Sequence, residues 1–303
     1  MYKALLFCAS VGLILLCNSC NKTEESLTLQ TESFNLADST TYANLRLEIE
    51  LPVVSDKITM SIREKLLEKL GNRLTHVTSY ENEQLYLPFQ GDTHNTKTML
   101  DYYLKNTRDL LGKQSEEDAN DRIKFLRENK DLTEEEINER ISDIPHWEYN
   151  FTLKKIADTL NYVIFLSQDY IYMGGAHGGV SGDGSLTFNK NDGSLIEAFL
   201  DSSRVDSIQP LIVNGLLSYY HSMDERITEE DMRSRLMIDG NLIPLPALRP
   251  YPTAVGLVFT YQQYEIACYA DGMPNFVIPY NNIAAFLTPE ARKICQAYLN
   301  TEK

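Results

Sequence analysis

Six of the chain's 15 glycines crowd around a single histidine in IYMGGAHGGVSGDG, which runs from Ile171 to Gly184. Imidazole titrates near neutrality and ligates metals, and glycines let a backbone close around an anion, so the block is open to several chemistries. A phosphate cradle needs glycines that run into a helix with a lysine close by. Here the block runs into the strand-like SLTF, and no Lys or Arg lies between Lys155 and Lys190. A zinc centre takes three or four ligands, commonly two of them close in sequence. His177 has no such neighbour, and His76, His94, His146 and His221 are scattered. Ser181 and Ser185 lie near His177, but neither sits in a nucleophile-elbow pattern. No metal, cofactor or catalytic set is therefore expected. The structural option remains: Gly174, Gly175, Ala176, His177 and Gly178 make a tight interdomain connection, with His177 bonded to backbone. One enzymatic alternative stays open, an envelope hydrolase with His177 as base and Asp169, Asp183 or Glu265 as acid. Work on a glycan would need two of these carboxylates paired across a cleft.

The start of the chain sets its compartment. MYKALLFCASVGLILLCNSC has one basic residue, Lys3, an apolar run from Ala4 to Cys17, and a small residue before Cys20, the layout of a secretory signal. The run is short for a membrane span. A cysteine in that place resembles the lipobox of bacterial lipoproteins, so residues 1–19 are expected to be a signal peptide and Cys20 the acylated first residue. Residues 20–40 are polar and read as a flexible tether. An outer-membrane anchor is the expected localisation, and KTEE at Lys22 to Glu25 resembles the acidic tags of surface-exposed lipoproteins. The formal charge of −15 disfavours nucleic acid and anionic lipid and favours basic partners. Cys268 and Cys295 are the cysteines left after the signal and anchor, an even pair that an oxidising compartment could bridge.

Two halves meet at the glycine block, 41–173 and 174–303. In the first, Leu45, Leu47, Ile49 and Leu51 alternate as a half-buried strand. A helix comes next, capped by Ser55 or Asp56, striped by Ile58, Ile62, Leu66 and Leu70, and ended by Gly71. Thr96 to Gly112 reads as a second helix. The acidic stretch from Gln114 to Asp143 reads as a solvated helical pair. Two strands, around Trp147–Leu153 and Tyr162–Leu166, form a hairpin. In the second half, SLTFNKNDGSLIEAFL turns tightly at Asp192-Gly193. A helix from about Ser203 buries Val205, Ile208, Ile212, Leu216 and Tyr219. Thr228 caps a short helix, Val255 to Tyr261 is a buried strand with a close approach at Gly256, and Phe276 to Ile278 is a short strand. Strands and helices without regular βαβ alternation predict two small α+β domains.

YIYMGGAHGG, then LTFNKNDGSLIEAFLD, then GLVFTYQQYEIACYADGMPNFVIPYNNIAAFL, in that order, resemble the C-terminal part of the RsiV/PdaC-type two-domain extracytoplasmic module. The strand, the KITMSIREKLLEKL helix and the hairpin before the glycines resemble its N-terminal part. The resemblance implies a C-terminal domain similar in fold to a subdomain of the heat-shock chaperone ATPase, without ATP binding. The reading adopted for the whole chain is an envelope binding module, with a basic lysozyme-type protein or a cell-wall glycan as partner. Tyr261, Tyr264, Tyr269 and Met273 lie in the resemblance's most distinctive block and are the candidate contact residues, since Tyr and Met are favoured at interfaces. The chain departs from the pattern in three ways: it lacks a deacetylase domain and a cytoplasmic sigma-factor-binding segment, and it has Cys268 where EIAPYA is usual.

Overall fold

The computed structural model describes residues 28–79 and 81–299; the signal segment and Cys20 lie outside them. The chain is α+β. Five strands form the larger sheet: β1 (Thr31–Ser39), β2 (Ala43–Pro52), β3 (Trp147–Asp158), β4 (Tyr162–Tyr172) and β5 (Gly179–Asn189), in that spatial order. All neighbours are antiparallel except β2 and β3. A parallel pair needs a long crossover, which α1 (Lys57–Thr75), α2 (Thr96–Glu128) and α3 (Glu134–Ser142) supply.

Alternation makes β2 and β3 one-sided, as the sequence predicts. Leu47, Ile49, Tyr149, Phe151, Val163 and Phe165 are buried in one core with Ile62, Leu66 and Leu70 of α1 and Met99 and Tyr103 of α2. Each such side chain contributes about 1.5–3 kcal/mol of burial. Asp56 caps α1 in a reciprocal arrangement with Thr59, but Gly71 does not end the helix. It continues to Thr75 because Leu74 still faces the core, and the Tyr103 ring packs where a side chain at 71 would project. Likewise α2 does not stop near Gly112. Buried Ser115 and Ala119 carry its inner face into the acidic stretch, so the first member of the expected pair is the end of one long helix.

Two of the expected segment limits change. The segment 31–39, read as tether, is β1 and pairs along its whole length with β2. The boundary at 173/174 falls inside the larger sheet, because β5 pairs with β4 from Gly179 to Asn189. The last glycines of the block are thus strand rather than loop, with a register shift opposite Ser167 and Gln168.

The second core lies on the other face of β4. Tyr162 and Ile164 join Ile208, Ile212, Leu216 and Tyr220 of α4 (Val205–His221) and Met232 of α5 (Glu229–Arg235). The stripe on α4 ends in Tyr220; Tyr219 instead donates its hydroxyl to the Asp271 carbonyl at 2.8 Å. A three-stranded sheet, β6 (Tyr251–Pro252), β7 (Gly256–Thr260) and β8 (Asn275–Pro279), completes this core. Gly256 is a close approach, as expected: a Cβ there would lie 2.2 Å from the Ile278 carbonyl oxygen.

Candidate functional site

His177 is exposed at the turn between β4 and β5. Its Nδ1 is 3.1 Å from the Gly178 carbonyl and its Nε2 3.1 Å from the Tyr264 hydroxyl. A carbonyl only accepts, so Nδ1 donates to it, and in the neutral ring Nε2 then accepts from Tyr264. The imidazole also stacks on Tyr269, with centroids 3.5 Å apart and planes 16° apart. The backbone contact is local, while the two tyrosine contacts reach a segment about ninety positions away.

That segment, residues 261–272, presents its tyrosines because its ends are buried. Tyr261 is fully buried and donates its hydroxyl to the Pro244 carbonyl at 2.8 Å. Glu265 accepts from the backbone amides of Gln262 (2.8 Å) and Ala247 (2.6 Å). Ile266 is buried in the second core. Between these anchors Tyr264 stands 55% exposed with φ at 62°, and its ring centroid lies 5.9 Å from that of Tyr269.

The three rings form one side of a cleft of about 680 Å³. Its other side comes from the first half of the chain: Gln114, Glu117 and Asp118 on α2, Trp147 at the start of β3, and Ile171 and Met173 at the end of β4. Asp118 is tied down, accepting from the Trp147 indole at 3.3 Å and from Arg122 at 2.9 Å. Arg122 also donates to the Gly174 carbonyl at 3.2 Å, which fastens the glycine turn to α2.

The candidate residues divide. His177, Tyr264 and Tyr269 come together at the cleft, whereas Tyr261 is core and is no contact residue. Met273 lines a separate small cavity between the two sheets, with Leu166, Tyr251 and Gln262. Asp169, Asp183 and Glu265 are not brought to His177. Asp169 accepts from Arg73 and from Ser181 at 2.8 Å, Asp183 pairs with Lys69 at 3.2 Å, and Glu265 holds backbone. Cys268 and Cys295, the pair that an oxidising compartment could bridge, are free thiols. Cys268 is exposed and donates to Asp271, while Cys295 is buried in the second core, where burial pushes its thiol up to about 11. Among the described residues no group of three or more His, Cys, Asp or Glu is gathered, and no helix is long and apolar enough to cross a membrane.

Trp147, Gln114, Glu117, Asp118 and Gln263 escaped the sequence reading. Trp147 is legible there only as one member of an alternating strand. The lone tryptophan at a strand's first position was the available signal; nothing in the α2 sequence marks it as a cleft wall.

An α+β chain with an aromatic cleft between its two halves is thus the class that the geometry defines. Residues 243–281 match the model of a family described as protein of unknown function, DUF3298, so a DUF3298 domain is present, and it supplies the Gln263–Tyr264–Tyr269 wall. No curated protein matches the chain. Similar solved structures include a member of the DUF3298 family from Bacteroides fragilis, with a TM-score of 0.58 at 18% identity, covering 90% of this chain and 98% of that one. Another is a DUF3298 family protein from Pseudomonas aeruginosa, with a TM-score of 0.51 at 13% identity, covering 88% and 97% respectively. These likenesses show the shared fold.

Proposed function

We propose that this chain is an extracytoplasmic binding module of the RsiV/PdaC type, lipid-anchored through Cys20, that takes its ligand in the cleft beneath His177. The observation that carries the reading is the joining of His177, Tyr264 and Tyr269, brought from two halves of the chain to one side of a concave, partly apolar site. Such a site, with a few polar groups among aromatic rings, is the usual form of a ligand pocket. Asp169, Asp183 and Glu265, the acids named for hydrolysis, hold other partners instead of His177, which weighs against that alternative.

The net charge of −15 favours a second reading within the same class, a basic lysozyme-type protein as partner. Long-range attraction of that kind acts mainly on the association rate and fades with salt. The test starts from Cys20→Ala, which is expected to move the protein from the membrane to the soluble fraction; retention in the membrane would remove the anchor from the reading. With this soluble form, binding to lysozyme, to a non-lysozyme protein of similar positive charge and to soluble cell-wall fragments is measured over a salt series. Tyr269→Ala is expected to weaken cleft binding by roughly 1–3 kcal/mol. Undiminished binding by a folded Tyr269→Ala protein, or binding of none of the three probes at low salt, would overturn the assignment. Equal binding of both basic proteins would remove the lysozyme reading alone.

A further inference from the structure

If the cleft is the binding site, its side-chain amide groups carry information about the ligand. Gln114 and Gln263 line it from different elements, one on α2 and the other beside Tyr264. Each has its oxygen already engaged by the protein. Gln114 Oε1 accepts from the Thr78 hydroxyl at 2.8 Å, and Gln263 Oε1 accepts from the Val180 amide at 3.0 Å. A side-chain amide whose oxygen is fixed has its NH₂ group fixed as well, with two donors to place. Among the described residues neither NH₂ group has a protein partner, and neither belongs to the buried atoms left unsatisfied, so both stay accessible.

The cleft therefore offers oriented donors that require acceptors on the ligand. Glu117, on the same side as Gln114, offers the complement. Its carboxylate accepts only, and its nearest ion partner, Lys113, stands 4.0 Å away. Trp147 and the exposed ring of Tyr264 line the same cleft. We infer that the cleft binds an uncharged saccharide segment rich in hydroxyl or acetamido groups, an inference that rests on the binding-module reading of this site. A pyranose has an apolar C–H face that can lie on an aromatic ring. Its hydroxyls can accept from the two amides and donate to Glu117 at once, and an acetamido carbonyl adds a stronger acceptor. A cationic side chain satisfies Glu117 but leaves both amide groups facing a group that cannot accept.

Trp147 is the chain's single tryptophan, so its emission reports occupancy of this cleft. The probe is a tetramer of β-1,4-linked N-acetylglucosamine, with the matching glucose tetramer and lysozyme as the other arms, added to the full mature chain bearing Cys20→Ala. The expected result is a saturable change in Trp147 emission with a saccharide arm. Gln114→Glu and Gln263→Glu keep the oxygen that Thr78 and Val180 need but turn the NH₂ donor into an acceptor. Each is expected to weaken saccharide binding roughly tenfold. Gln114→Met and Gln263→Met remove the donor without adding charge and should weaken binding in the same direction, and a thermal melt of every variant shows that it is folded. If the ligand is cationic, the two Glu variants bind it more tightly, and that sign overturns the saccharide assignment. Lysozyme binding that depends on Tyr269, with both saccharides silent at Trp147, overturns it too while leaving the binding-module reading intact. Silence of every arm removes both.

Discussion

Tyr264 is held at φ 62°, in the left-handed region that bulky residues avoid at a cost of about 1–2 kcal/mol. It accepts that conformation while exposing most of its ring, so core packing does not account for it; its contacts with His177 and Tyr269 do. Tyr264→Gly removes the steric penalty but loses these contacts and adds unfolded-state entropy, so the melting temperature is expected to stay level or fall slightly. Ligand affinity is expected to fall by roughly 1–3 kcal/mol. Thermal melts and calorimetric titration read the two effects separately, and a clear loss of stability would assign Tyr264 to holding the loop instead. Cys295 has the opposite character, a buried group with no exposed role. Its thiol ionises near 9.0 ordinarily and near 11 in the fold. Between those values the native state keeps a proton that the unfolded state has lost, so its contribution is whole below pH 9 and declines as pH rises toward 11. Stability measured from pH 8 to pH 11 should fall more steeply for the natural chain than for Cys295→Ala, whatever the variant's offset from the core cavity it creates. Parallel curves would show that Cys295 does not titrate differently in the two states.

At the scale of elements, the glycine turn contains positions with different demands. A Cβ at Gly178 would lie 2.4 Å from the Tyr170 ring, whereas one at Gly175 meets nothing within 4 Å. Gly178→Ala is therefore expected to push the turn off β4, displace His177 and weaken ligand binding, while Gly175→Ala leaves both stability and binding near the natural level. Comparing melts and affinities of the two variants checks this; equal behaviour would mean that the turn adapts freely. The same contrast explains what was legible in the sequence. Period-two alternation at Leu45–Leu51 and Trp147–Leu153 and the caps at Asp56 and Thr228 are local signals, and the structure carries the strands and helices they imply. The extent of α2 was not legible, because past Gly112 its inner face narrows to the small residues Ser115 and Ala119, which leave no apolar stripe. His177, Tyr264 and Tyr269 were each singled out, but their meeting was not, since it depends on how the two halves pack. Tyr261 was misassigned for a related reason: a tyrosine in a strand-to-loop step reads the same whether its hydroxyl meets water or, as here, the Pro244 carbonyl.

For the whole molecule, the two cores share one sheet. β4 contributes Val163 and Phe165 to the first core and Tyr162 and Ile164 to the second. β5, which comes after the glycine turn in sequence, supplies Leu186 and Phe188 to the first. A chain cut at 173/174 would lose both residues and leave β4 as an open edge, with its ladder partners gone and apolar side chains uncovered. Residues 28–173 expressed alone are therefore expected to aggregate or to melt without a cooperative transition. The intact chain should unfold as one unit, because neither core is complete without the strand pair between them. Trp147 emission follows the first core alone, and far-ultraviolet circular dichroism follows all elements, so the two melting curves should coincide. Two separated transitions, or a soluble and cooperative 28–173 fragment, would show instead that the halves are independent domains. The cleft would then be a hinge between them rather than a fixed site.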